Sequence, residues 1–212
     1  MAQETKGTMG RFIAFEGIDG SGKTTQVARL AARLNGMGQA CCQTREPTAG
    51  PVGSLVHQIM TGRIAADNRV VAALYAADRL DHLLNKTDGI LPMLEQGTHV
   101  LTDRYYFSSY AYHSVDMSMD WVIEANAQAA QLLRPTATIF IDVDPNTALE
   151  RISKNRFHTE IYENLSRLTK TREFYFQAFE KEKARENIIV LDGCMTEDQL
   201  EEQVWEAVKN FF

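Results

Sequence analysis

Residues 17–24, Gly17-Ile18-Asp19-Gly20-Ser21-Gly22-Lys23-Thr24, fit the spacing GxxxxGK[ST] at every fixed position. They follow a short apolar run at 11–15 and open a stretch in which Val27, Leu30, Ala31 and Leu34 recur at helical period. That is the strand, loop and helix setting the motif requires. Few features restrict a fold so strongly. Glycines let the backbone wrap a phosphate with its N–H groups, and the N-terminus of the following helix adds its dipole. Within such a loop Lys23 bridges the β- and γ-oxygens of a nucleotide and Thr24 offers its hydroxyl to Mg²⁺. The run from Gly17 to Thr25 is the expected ATP contact.

The rest of the chain alternates in the same way. Strands are expected at 11–15, 40–45, 99–102, 138–143 and 187–191. Helices are expected from Lys23 until Gly36 and Gly38, then at 52–60, 69–84, 89–95, 120–133, 145–155, 161–182 and 196–212. Near-continuous apolar strands separated by helices imply a parallel sheet covered on both faces. The expected fold is therefore α/β, a doubly wound five-stranded parallel sheet with its site at the carboxyl ends of the strands. With 212 residues, 44% of them apolar, one core is within reach. A single domain is expected over 11–212, behind a disordered leader at 1–10 that has neither an apolar h-region nor a basic flank.

Charge and spacing argue against other classes. A net charge of -6 is unsuited to coating nucleic acid, so any bound phosphate must meet a local basic cluster. Apolar runs end well short of the roughly 20 residues that cross a bilayer, so a cytoplasmic protein without a membrane partner is expected. Three cysteines, of which Cys41 and Cys42 point to opposite faces of an expected strand, do not form a disulfide framework or a zinc site. The five histidines lack ligand spacing. Asn85-Lys86-Thr87-Asp88 matches the guanine-recognition pattern NKxD, but the residues before it carry charges at helical spacing, so it reads as the end of a helix.

Five segments occur in an informative order: FEGIDGSGKTTQ from Phe15 to Gln26, TREP from Thr44 to Pro47, YAADR from Tyr75 to Arg79, DRYYFSSYAY from Asp103 to Tyr112, and IDVDP from Ile141 to Pro145. Together they resemble the thymidylate kinase family from Phe12 to the final helix. The resemblance implies a P-loop kinase fold and transfer of the γ-phosphoryl of Mg²⁺-bound ATP onto dTMP, giving dTDP for dTTP synthesis. It also implies a homodimer, for which the apolar residues Val70, Val71 and Leu74 of one helix are available.

Such an enzyme must hold two polyanions end to end, so arginines from separate loops are needed opposite Lys23. Arg45 and Arg104 each follow an expected strand. By resemblance both hold the dTMP phosphate, and Arg104 also lies near the transferred group. Asp103 is expected to order magnesium-bound water or Arg104. The resemblance places Tyr75 on the thymine ring. Arg79, four residues on and so on the same helical face, reaches a base carbonyl. Pro47, Ser108 and Ser109 complete the acceptor pocket, with Ser109 near the base N3–H. Tyr112 stands where a ribose 2′-hydroxyl would go, and Asp19 meets the 3′-hydroxyl side of the sugar and joins the catalytic groups.

Some members of the family carry an arginine in the phosphate loop, where this chain has Gly20. The resemblance then implies a basic lid at about 151–163, with Arg156 or Arg151 as the cation over the transferred group. Two other readings stay open on the residues alone. One is a P-loop phosphotransferase acting on UMP, CMP or a nucleoside. The other is a nucleotide-dependent switch, for which a convincing DxxG is wanting.

Overall fold

The computed structural model describes residues 9–155 and 164–212. In chain order the elements are β1 (Phe12–Glu16), α1 (Lys23–Gly36), β2 (Cys41–Arg45), α2 (Pro51–Met60), α3 (Asn68–Leu84), α4 (Ile90–Glu95), β3 (His99–Asp103) and α5 (Tyr106–His113). They continue with α6 (Met119–Ala125), α7 (Ala127–Leu132), β4 (Ala137–Asp142), α8 (Pro145–Asn155), α9 (Leu165–Glu182), β5 (Ile188–Asp192), α10 (Glu197–Val208) and a 3₁₀ turn at Lys209–Phe211.

The strands form one parallel sheet in the order β2-β3-β1-β4-β5. β1 is buried at every position and β4 at all but its last, because helices cover the centre of the sheet on both sides. β2 and β5 lie at the edges and are partly exposed. From the central β1 the chain first builds towards β2 and then crosses to β4, so the carboxyl ends of β1 and β3 flank the point where strand order reverses. Register sets Phe15 beside Asp103, and Arg45 beside the same residue on the other side. The loops that follow β1, β2 and β3 are therefore brought to one edge.

Local chemistry explains the boundaries. α1 turns Val27, Leu30, Ala31 and Leu34 inward and ends in a Schellman arrangement: Gly38 (φ 80°) donates to Asn35 O and Gln39 to Leu34 O. α10 opens with a capping box in which Thr196 and Gln199 exchange hydrogen bonds. No helix among the described residues is long and apolar enough to cross a membrane.

Several expectations need correction. The leader was expected to reach residue 10, yet Gly10 is buried and its N–H donates to Leu94 O at 2.8 Å. The helix expected at 120–133 is two helices, broken at Asn126, whose buried side chain accepts from Arg79 and donates to Val122 O. α5 was not expected at all. All eight of its residues are buried, so it has no polar face and no amphipathic period to read. Of the apolar residues offered for a dimer contact, Val71 is buried in the chain's own core, whereas Val70 is 49% exposed.

Candidate active site

The loop between β1 and α1 is shaped around Lys23, which is 5% exposed. Its Nζ donates to Ile18 O at 2.8 Å and to Ser21 Oγ at 3.3 Å. Burial pushes its pKa down to about 8, helped by the Arg104 charge and opposed by Asp103, Asp19 and Glu16. Thr24, one residue on, donates its hydroxyl to the Asp103 carboxylate at the end of β3. Gly17 and Ile18 lie beneath the loop and offer carbonyls to Arg104, Tyr175 and Lys23, while Asp19 to Thr25 face the cleft.

Gly20 (φ 78°) is where the loop meets α8. A Cβ there would lie 2.4 Å from Ala148 O, a backbone atom that cannot swing aside. With α8 packed in this way, the stem of an arginine at this position would overlap its backbone. Gly20→Ala adds left-handed backbone strain of about 1–2 kcal/mol to that overlap. We expect its Tm to fall by roughly 5–10 °C in calorimetry. An unchanged Tm would mean that α8 does not rest on the loop.

Arg104 stands at the centre of the site with φ 75°. Its guanidinium donates to Gly17 O (3.3 Å), Ser108 Oγ (3.0 Å) and Tyr112 Oη (3.1 Å), pairs with the Asp19 carboxylate, and lies 4.8 Å from the centroid of the Tyr112 ring. Tyr112 Oη in turn donates to Asp19 Oδ2 at 2.7 Å and accepts from the Asp19 N–H at 3.0 Å. Burial works to raise the Asp19 pKa, but the Arg104 and Lys23 charges and the Tyr112 hydroxyl outweigh it and hold the carboxyl below its ordinary value. Asp19, Arg104 and Tyr112 therefore form one preorganised unit.

Beneath that unit lies Glu16, which is fully buried. It accepts from the N–H groups of Tyr105 (2.9 Å) and Ser108 (3.1 Å), from the Ser108 hydroxyl (2.5 Å) and from the Tyr175 hydroxyl of α9 (2.9 Å). Burial raises its pKa more than these bonds lower it. Sequence reasoning missed Glu16 and Tyr175. The one signal was an acid ending an otherwise apolar strand, immediately before Gly17.

At the far end of the cleft Arg45 is exposed, Pro47 is half-buried, and Tyr75 lies half-buried on α3. Arg79 is 1% exposed and makes four hydrogen bonds. It donates from Nε to Glu46 Oε2 (2.8 Å), and to Tyr105 O (3.1 Å), Ser109 Oγ (3.0 Å) and Asn126 Oδ1, while Nη2 also lies 2.6 Å from Glu46 Oε2 in an ion pair. Here Arg79 is a strut joining the loop after β2 to α3 and α5. Glu46 also meets His82 Nδ1 at 3.1 Å, and His82 Nε2 lies 2.7 Å from Thr44 Oγ1. Of the two lid arginines expected, Arg151 donates to Gly193 O at 3.0 Å in the loop after β5, and Arg156 lies outside the described residues.

One cleft of about 1230 Å³ connects these parts. Asp19 to Thr25, Arg45, Pro47, Tyr75, Arg79, Asp103, Arg104, Ser108, Ser109, Tyr112 and Arg151 all line it.

Comparison with known proteins bears on this geometry. The family model described as thymidylate kinase matches residues 15–204. A thymidylate kinase of Geobacillus sp. (strain WCH70) is 37% identical over 199 residues, covering 90% of this chain and 92% of that protein. One of Ligilactobacillus salivarius (strain UCC118) is 35% identical over 210 residues, covering 95% and 99%. One of Deinococcus radiodurans is 33% identical over 205 residues, covering 95% and 97%.

Proposed function

The chain belongs to the thymidylate kinase family, and we propose that its cleft moves the γ-phosphoryl group of ATP onto the phosphate of dTMP, giving dTDP for dTTP synthesis. The observation that carries this reading is the continuity of the cleft, which runs from the phosphate loop past Arg104 to Tyr75 and Ser109. Two phosphorylated ligands fit end to end only in such a space.

Lys23 rests on two neutral oxygens, Ile18 O and Ser21 Oγ, and exchanges them for the β- and γ-oxygens of ATP. Thr24 and Asp103 supply the hard oxygen donors that suit a magnesium ion bound with the nucleotide, and they already touch. When bound, that ion neutralises charge on the β- and γ-oxygens. Arg104 faces the junction of the two ligands. The dTMP phosphate takes over the guanidinium from Asp19, which frees the Asp19 carboxylate to accept from the sugar 3′-hydroxyl. Tyr112 is fixed by bonds to both the backbone and the side chain of Asp19, so its ring holds its place against a ribose 2′-hydroxyl. Arg45 adds a second cation at the acceptor phosphate. Pairing of two such chains belongs to the same reading, with the exposed Val70 of α3 available for the contact.

A coupled assay of ADP release against dTMP, dUMP, UMP, CMP and dGMP tests the assignment. We expect the highest kcat/KM for dTMP, with dUMP about tenfold or more weaker because one methyl is lost from a fitted pocket. A higher kcat/KM for UMP or CMP would overturn it.

A further inference from the structure

Asp78 of α3 is 1% exposed, yet its carboxylate takes two hydrogen bonds from one residue that is 30 positions away in the chain. Thr48 donates its backbone N–H to Oδ2 at 2.8 Å and its hydroxyl to Oδ1 at 2.6 Å. Burying a carboxylate is costly unless its oxygens are bonded, and here each oxygen has a donor. Thr48 lies where the chain leaves the sheet. The Glu46 N–H still donates to Asp103 O at the end of β3 (3.0 Å), and α2 begins at Pro51. From the side of α2 the packing is close, since a Cβ added at Gly53 would lie 2.1 Å from Thr48 O. Thr48 is therefore gripped between the first turn of α2 and the Asp78 carboxylate.

The grip continues upstream. Glu46 is held by Arg79, the neighbour of Asp78 on α3, and Thr44 Oγ1 lies 2.7 Å from His82 Nε2, one turn further along the same helix. Bonds to α3 thus come from residues 44, 46 and 48, the alternation an extended chain allows. The segment from Arg45 to Ala49 lines the cleft, as does Tyr75, three residues before Asp78 on α3, whereas Asp78 is not part of that lining. Holding the two elements together does not by itself call for a buried carboxylate, because a well-packed apolar pair can stabilise as much. What two fixed donors add is one orientation of the backbone at Thr48, and with it of Pro47 and Arg45 just before it. We infer that Asp78 is a positioning residue for the acceptor, acting through Thr48 to set the loop that carries Arg45 and Pro47 against the helix that carries Tyr75. This rests on the thymidylate reading above, which makes that loop and that helix two walls of one pocket.

Titration calorimetry of the full chain with dTMP and, separately, with ATP tests the inference. Asp78→Ala is expected to weaken dTMP binding about tenfold, the scale of a slightly misplaced wall, while ATP binding stays at the wild-type value. In kinetics the loss should appear in KM for dTMP, with a much smaller change in kcat. Asp78→Asn should recover most of the affinity, because its Oδ1 can accept the Thr48 N–H and its amide can donate to the Thr48 hydroxyl oxygen. Thr48→Val keeps the N–H bond and loses the hydroxyl bond, so its dTMP affinity should fall between those of the wild type and the alanine variant. An alanine variant that melts lower yet binds dTMP normally would reduce the contact to a structural one and overturn the inference. So would a parallel loss of ATP affinity, or asparagine no better than alanine. If Asp78→Ala does not fold, Thr48→Val decides, and wild-type dTMP affinity there overturns the inference. Wild-type protein that binds and turns over CMP but not dTMP would overturn the thymidylate assignment instead, and the same variants are then read against CMP.

Discussion

Lys23→Ala is expected to lower kcat by on the order of 10³ while leaving the melting temperature at pH 7 unchanged or higher. The two effects have one cause. Lys23 is held almost without water, where its charge is costly in the empty enzyme and useful once a polyanion arrives. Because its pKa is depressed in the folded chain, folding penalises the charged form. That penalty is complete below a pH of about 8 and fades as pH rises towards the ordinary lysine value of 10.5. Alanine removes it, which offsets the lost packing of the stem. Turnover has no such compensation, since the loop presents no other cation from Gly17 to Thr24. The same shift implies that ATP binding near pH 8 draws a fraction of a proton onto Lys23. Titration calorimetry in buffers of different ionisation enthalpy reads that uptake, and the variant should lack it. A variant with near-normal kcat, or with a large loss of Tm, would contradict this account.

What could be read from the chain before folding was whatever is local. The phosphate loop is a fixed spacing over contiguous residues, and the strands are short apolar runs between turn residues. Both were found where they lie. The missing parts depend on distant partners. Arg79 was rightly set on one helical face with Tyr75, but its ties to Glu46 and Asn126 span 33 and 47 residues and no periodicity reports them. The same holds for Arg151, whose partner Gly193 is 42 residues away on the loop after β5. α5 was hidden for the opposite reason. A helix buried on all sides has the composition of a core and no stripe. Two of the residues that set the site's geometry, Glu16 and Tyr175, are buried groups whose importance lies in what they face.

Glu16 gives the sharpest test of that distinction. Its Oε1 accepts the N–H groups of Tyr105 and Ser108, which open α5, and its Oε2 accepts the hydroxyls of Ser108 and Tyr175. Ser108 Oγ then receives Arg104, so the carboxylate reaches the acceptor-binding guanidinium through one hydroxyl. In Glu16→Ala the backbone donors and two hydroxyls lose their acceptor inside the core, where each unmade bond costs about 1–3 kcal/mol. Allowing for partial relaxation, a loss of about 3–5 kcal/mol is expected, equivalent to a Tm lower by roughly 10 °C in a chain of this size. Glu16→Gln should behave differently. Its Oε1 can keep both backbone N–H groups, and its amide nitrogen can donate to hydroxyls that rotate to accept. It also relieves the burial of charge that raises the carboxyl pKa. We expect glutamine to leave Tm within a few degrees and to raise KM for dTMP modestly through a less firmly held Arg104. We expect alanine to lose both stability and acceptor binding. If alanine melts with the wild type, or if glutamine falls as far as alanine, then acceptor geometry at Glu16 is not what holds α5 and Arg104 in place.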